Sequence, residues 1–197
     1  MGRDLVDVQE KYLSQLCNCK HIFNTEYGQL VLKFEKENFC HLIGIHYTYS
    51  NVKGIHGWNQ IEDGYITYKT IRAFNKSSYE ILVQRIAVLE NCERIFETCN
   101  YIKINKGGKG KLACDFFIYD SIKKKFLVLA IVIDKSNFNY CVAVSCLSYY
   151  TNDSNSLKYL GLAKGFEKYE YMKVDKDDSR CNDSSIIKLI YPLHSNK

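Results

Sequence analysis

The run Asn38-Phe39-Cys40-His41-Leu42-Ile43-Gly44-Ile45-His46 sets a polar ring inside an apolar stretch and ends on a helix-stop signal. Asn38 is a residue type that caps helical turns, and Phe39, Leu42 and Ile43 are spaced to face a core. Gly44 suits the left-handed position that follows a last turn. His41 then projects from the shoulder of that turn, held by apolar neighbours and open to a change in its pKa, as a general acid or base requires. The plainer alternative is a boundary histidine whose ring only packs.

Working outward, Leu5, Val8, Tyr12 and Leu16 recur at helical spacing, so residues 4–17 read as an amphipathic packing helix. Residues 22–27 and 30–34 flank Gly28-Gln29 as a hairpin that delivers the chain to His41. Beyond it, residues 46–63 read as a loop in which Tyr47, Tyr49, His56 and Trp58 lie among Ser50, Asn51, Gly54 and Gly57. Trp58 anchors that loop in the core, whereas Tyr47 and Tyr49 either pack or stack on unpaired bases. A short helix over 67–74 comes next. Ser77-Ser78-Tyr79-Glu80 has capping-box spacing, and Leu82, Ile86, Leu89, Cys92, Phe96 and Cys99 form one apolar stripe. Arg85, beside the stripe, either reaches a phosphate or pairs with Glu90 or Glu93.

Residues 101–104, 112–119, 126–133 and 140–147 read as successive strands, antiparallel because their connections are short. Alternation puts Cys141, Ala143 and Ser145 on one face, so Ser145 looks into a core of small residues or into a cleft. Further strands are expected over 166–174 and 186–191, with a short helix near 157–163 and a frayed tail after Pro192.

With 197 residues, 46% of them hydrophobic, the chain can bury one core. The expectation is a single domain over 1–197: an N-terminal helix over 1–19, a core over 20–175, and a C-terminal strand and tail over 176–197. The longest apolar run, 126–133, is far short of the ~20 residues that cross a bilayer, and the first residues lack the apolar core of a signal peptide. A cytoplasmic protein without membrane association is expected. Nine cysteines, an odd number scattered through the elements, read as reduced and mostly buried thiols. Cys17-x-Cys19-x-His21 and Cys40-His41 lack the paired spacing of structural zinc, so no metal or other cofactor is expected. The net charge of +5 is modest, but Lys103, Lys106, Lys109 and Lys111 crowd around Gly107, Gly108 and Gly110, with Lys123, Lys124 and Lys125 soon after. Such a patch suits a polyanion such as RNA; equally it suits a solvated loop.

The stretch Leu32-x-Phe34-x-x-x-Asn38-Phe39-Cys40-His41-Leu42-Ile43-Gly44-Ile45, the Ile61-x-x-Gly64-x-Ile66-Thr67 segment, the Arg85-Ile86 helix and the strand ending in Val144-Ser145 resemble a known family. It is that of the phage-associated Barnase-EndoU-colicin-RelE-like nucleases found in mobile elements of low-GC Gram-positive bacteria. The likeness spans most of residues 20–175 and is most specific in Asn-Phe-x-His-Leu-x-Gly. It implies an α+β fold with helices packed on one face of a small antiparallel sheet, and a metal-independent endoribonuclease acting as a toxin or effector. His41 carries over, Lys53 is the basic position after the turn, and Ser145 is the late-strand serine. Lys111 and Asp115 have no secure counterpart, and Cys146-Leu147 stands where an aromatic residue is expected.

Cleaving RNA without a metal uses the ribose 2'-OH as nucleophile and yields a 2',3'-cyclic phosphate. His41 is then the general base or acid, Lys53, Arg85 or Lys111 the charge stabiliser, and Ser145 a donor to phosphate. Lys103, Lys106, Lys109, Lys111, Tyr47 and Tyr49 are the candidate RNA contacts, and an antitoxin or host protein a further partner. The alternative function is an inactive nuclease-like binding protein, an anti-defence inhibitor or interaction module, whose 16 tyrosines suit an interface. The blandest reading is an α+β domain whose histidines are structural.

Overall fold

The computed structural model describes residues 4–25, 28–99, 101–104, 114–122, 125–134, 140–150, 152 and 166–177. The first amphipathic stripe forms α1 (Leu5–Tyr12), started by an Asp4–Asp7 capping box and continued by a π-helical turn, Leu13–Cys17. The hairpin is β1 (Cys19–Thr25) and β2 (Gly28–Lys33). α2 (Lys36–Leu42) then carries His41. Asn38 does not cap it: the helix begins two residues earlier behind Glu35, whose carbonyl accepts from the Tyr12 hydroxyl at 2.9 Å.

Residues 46–63 are more ordered than a loop. They hold a 3-10 turn, Ile45–Tyr47, and α3 (Gly54–Glu62), which Gly57 lets lie close against Cys40 of α2. Trp58 is buried as expected, but from a helix, and its indole N–H donates to Glu62 at 2.7 Å. α4 (Tyr68–Phe74) follows, then α5 (Lys76–Leu89). The cap of α5 is Asn75, whose side-chain oxygen accepts from the Ser77 and Ser78 amides, and not the Ser77 box. The apolar stripe also proves to be two helices. The chain turns at Glu90–Asn91, where the Asn91 amide donates to the freed Ala87 carbonyl at 2.7 Å, and resumes as α6 (Cys92–Cys99). That corner points Phe96 at Phe23, Phe34 and His21.

The remaining strands are β3 (Tyr101–Ile104), β4 (Phe116–Ile122), β5 (Lys125–Ile133), β6 (Cys141–Tyr150) and β7 (Phe166–Asp175). The expected strand over 186–191 and helix over 157–163 lie outside the described residues. β3, β4, β5 and β6 pair antiparallel in succession. In the full order β1-β2-β6-β5-β4-β3-β7 the last strand pairs again with β1, so the sheet curls until it closes. One pair, β2 with β6, is parallel, aligning Leu32 with Cys141.

Among the described residues there are six helices: α2 and α5 pack against β6 and α6 against β4, while α3 lies on α2 and α4 on α5. Their apolar faces and the inward strand residues, such as Leu129, Ile131, Cys141 and Cys146, make the main core. The opposite face of β4–β6 holds a smaller cluster around Phe117, Val128 and Ala130. The result is the α+β fold expected. Eight described cysteines are free thiols, and most are buried.

Candidate active site

The site starts where α2 stops. Phe39, Cys40, Leu42 and Ile43 are buried, so the helix is pinned by one face and His41, on the other, keeps an exposed edge. Gly44 takes the left-handed conformation with φ at +81°, and its amide donates to the His41 carbonyl at 3.1 Å. That reversal folds the 3-10 turn back over the helix end. His46 thereby comes to lie on His41, ring on ring, with centroids 4.7 Å apart and planes 15° from parallel. Tyr47 continues the column, 4.2 Å beyond His46.

α5 brings in Arg85. Its guanidinium donates to the carbonyls of His41 and Leu42 at 3.4 and 3.3 Å and to the Tyr47 hydroxyl at 3.1 Å, and it lies 5.1 Å from the Tyr47 ring centroid. Those carbonyls are among the ones a helix end leaves unpaired, so Arg85 caps α2 as it orders the turn. Gly44 is required here for a second reason: a Cβ would stand 3.0 Å from the Arg85 Cδ. Arg85 is only 7% exposed, and among the described residues it meets no carboxylate. Glu93 pairs with Lys173 instead. A desolvated cation without a counter-charge is costly, and an anion entering beside it would relieve that cost.

β6 supplies the third wall. Its alternation is broken by a bulge, because Ser145 pairs with Ala130 while Ala143 pairs with the next residue, Ile131. Val144 is therefore the extra residue, on the strand against which α2 packs. The bulge also corrects the expected face of Ser145. Cys141 and Ala143 look toward the helices with Cys146, but Ser145 follows Ala130 onto the opposite side of the sheet.

Charge and crowding move both imidazoles the same way. Partial burial lowers the His41 pKa from the ordinary value and the Arg85 charge lowers it further, with the Val144 carbonyl opposing. His46 is lowered by burial first and then by His41, Arg85 and Lys53. Both rings therefore favour the neutral, proton-accepting form near neutral pH.

Of the residues singled out in the sequence, His41, Arg85, Tyr47 and Lys53 are brought together. Lys53, exposed ahead of α3, stands near enough for its charge to reach His46. Tyr49 is turned away, packed on Phe74 with ring centroids 5.5 Å apart. Lys103 has its backbone in β3 opposite Phe117, while Lys106, Lys109 and Lys111 lie outside the described residues. The residue that sequence reasoning passed over is His46. Its signal was the glycine at 44, since a left-handed residue there returns position 46 toward position 41.

The other conspicuous histidine is structural. His21 is fully buried, its Nε2–H donating to the Leu16 carbonyl at 3.3 Å and its Nδ1 accepting from the Tyr171 hydroxyl at 2.8 Å. Burial pushes it down to about 4. Among the described residues no three or more His, Cys, Asp or Glu side chains group as metal ligands do, and no helix is long and apolar enough to cross a membrane.

An α+β fold with a crowded histidine pair beside a buried arginine that meets no carboxylate among the described residues is suited to phosphate chemistry. Residues 4–192 match the phage-Barnase-EndoU-ColicinE5/D-RelE like nuclease4 family, and the chain belongs to it. It is thus a member of a nuclease family, whose ligand is nucleic acid. No curated protein and no solved structure matches the chain.

Proposed function

We propose that this nuclease is a metal-independent endoribonuclease that uses the substrate's own 2'-OH as nucleophile. The observation that carries the reading is the buried Arg85 guanidinium, without a carboxylate partner among the described residues and bonded to the turn that presents His41. A phosphodiester entering there meets Arg85 from below and Lys53 from the rim, so this chain's own cations answer the charge that grows on the pentavalent phosphorus. His41, kept largely neutral, takes the 2' proton; the 2' oxygen bonds to phosphorus as the bond to the 5' oxygen breaks. The products are a 2',3'-cyclic phosphate and a 5'-hydroxyl end. Tyr47, 50% exposed beside the reacting position, offers its ring to an unstacked base. Ser145 is left outside this scheme because the bulge turns it away. On this reading the protein works in the cytosol, where a toxin-type ribonuclease needs an antitoxin to shield the host's RNA.

Incubating the protein and its His41→Ala variant with RNA in EDTA tests the scheme. The parent should leave cyclic-phosphate ends, the variant should be slower by about 10²–10⁴-fold, and a 2'-deoxy substitution at the cleaved position should abolish cutting. Equal cleavage by parent and variant, or cleavage that ignores the deoxy substitution, refutes it. No cleavage by either would favour the inactive binding protein.

A further inference from the structure

His46 has no part in the scheme above, yet its ring stacks on that of His41 with centroids 4.7 Å apart. We propose that His46 is the second proton-handling residue, delivering a proton to the departing 5' oxygen while His41 removes the one on the 2' oxygen. The assignment rests on the endoribonuclease reading and deepens it.

The geometry argues for a divided pair and not for a packing ring. Imidazoles stacked at 4.7 Å repel each other when both are charged, so at most one readily holds an extra proton. The Val144 carbonyl lies on the His41 side of the pair, where it favours a proton on that ring. His46 has no hydrogen-bond partner among the described residues, and its Nδ1 is sealed from solvent. A ring kept only for structure would be expected to have its buried nitrogen satisfied, as His21 has. Proton traffic at His46 must therefore pass through Nε2, on the open side of the column.

The groups facing His46 set when it is loaded. His41 comes from α2, Arg85 from α5, Lys53 from the segment before α3, and Tyr47 from its own turn. In the empty site two neighbouring cations, Arg85 and Lys53, discourage a proton on His46. A phosphodiester lodged between Arg85 and Lys53 cancels their field, so the acid is charged when substrate is in place. The step balances: the 2'-O–P bond forms, the P–O5' bond breaks, His41 gains one proton and His46 loses one. No water or electron is consumed, and the two rings reset by exchange with solvent.

A leaving group that needs no acid separates the roles. The parent, His41→Ala, His46→Ala and His46→Gln should be compared on an RNA oligonucleotide and on the same oligonucleotide with sulfur bridging the scissile 5' position, because a thiolate departs unprotonated. Both His46 variants should be slowed about 10²–10⁴-fold on the oxygen substrate and run near the parent rate on the sulfur one. His41→Ala should be slow on both. Equal slowing of the His46 variants on the two substrates, or no slowing on either, overturns the assignment while leaving the endoribonuclease reading intact. A parent that cuts neither substrate overturns both. His46→Gln, which keeps a polar side chain, and a thermal unfolding curve for each variant separate lost chemistry from lost folding.

Discussion

At the scale of single residues the molecule treats its histidines in opposite ways. His21 is satisfied on both ring nitrogens and wholly buried, while His41 and His46 stack at a solvent-facing edge. The difference has a thermodynamic signature. In the unfolded chain His21 titrates near 6.5. In the fold it titrates at about 4, so acid favours the unfolded state. Its contribution to stability is complete above pH 6.5 and is lost as the pH falls toward 4, a change on the order of 3 kcal/mol. Urea unfolding from pH 8 to 4 should show a plateau followed by that decline, and ¹⁵N spectra at pH 6 should show His21 neutral with its proton on Nε2. A His21 ring already charged at pH 6 would refute this. The sequence made His41 legible, because an imidazole within an apolar run before glycine is a local pattern. His46 was not, because its position depends on the φ of Gly44, and a sequence shows only that a glycine permits such an angle.

Elements were legible wherever hydrophobic periodicity ran undisturbed, as in α1 and in β3 to β6. They were missed where a side chain competed for the backbone. Asn75 and Asn91 are two such places. Asn75 captures the amides that open α5, and Asn91 takes the carbonyl that closes it, so one apolar stripe becomes two helices. Asn75→Ala should therefore cost about 1 kcal/mol in chemical denaturation, whereas Ser77→Ala should change little. The opposite order would restore the capping role to Ser77. The bulge in β6 is the element-scale feature that bears on the site, since it turns Ser145 to the other face. Strict alternation placed Ser145 with Ala143, and one inserted residue is enough to reverse every assignment after it.

Taken whole, the chain's fold class followed from its strand order, but the closure of the sheet did not, because the β2–β6 and β1–β7 pairs join distant segments. Long-range charge also belongs to this scale. The lysines at 106, 109 and 111 are candidate RNA contacts on their charge and spacing in the sequence. Measured in a His41→Ala background, which keeps the RNA uncut, replacing all three with Gln should flatten the slope of log K against log salt by about 2, at roughly 0.7 for each single-strand contact. An unchanged slope would mean they face water alone.

The pairing of β1 with β7 has a consequence in time. Residues 19–25 must wait for residues 166–175 before the ring of strands can be completed, whereas the pieces of the site, residues 41–47, 53, 85 and 144, all come earlier in the chain. A ribosome thus finishes the groups of the candidate site before the strand that closes the barrel around the core supporting them. Full assembly of the nuclease is a late event in its own synthesis.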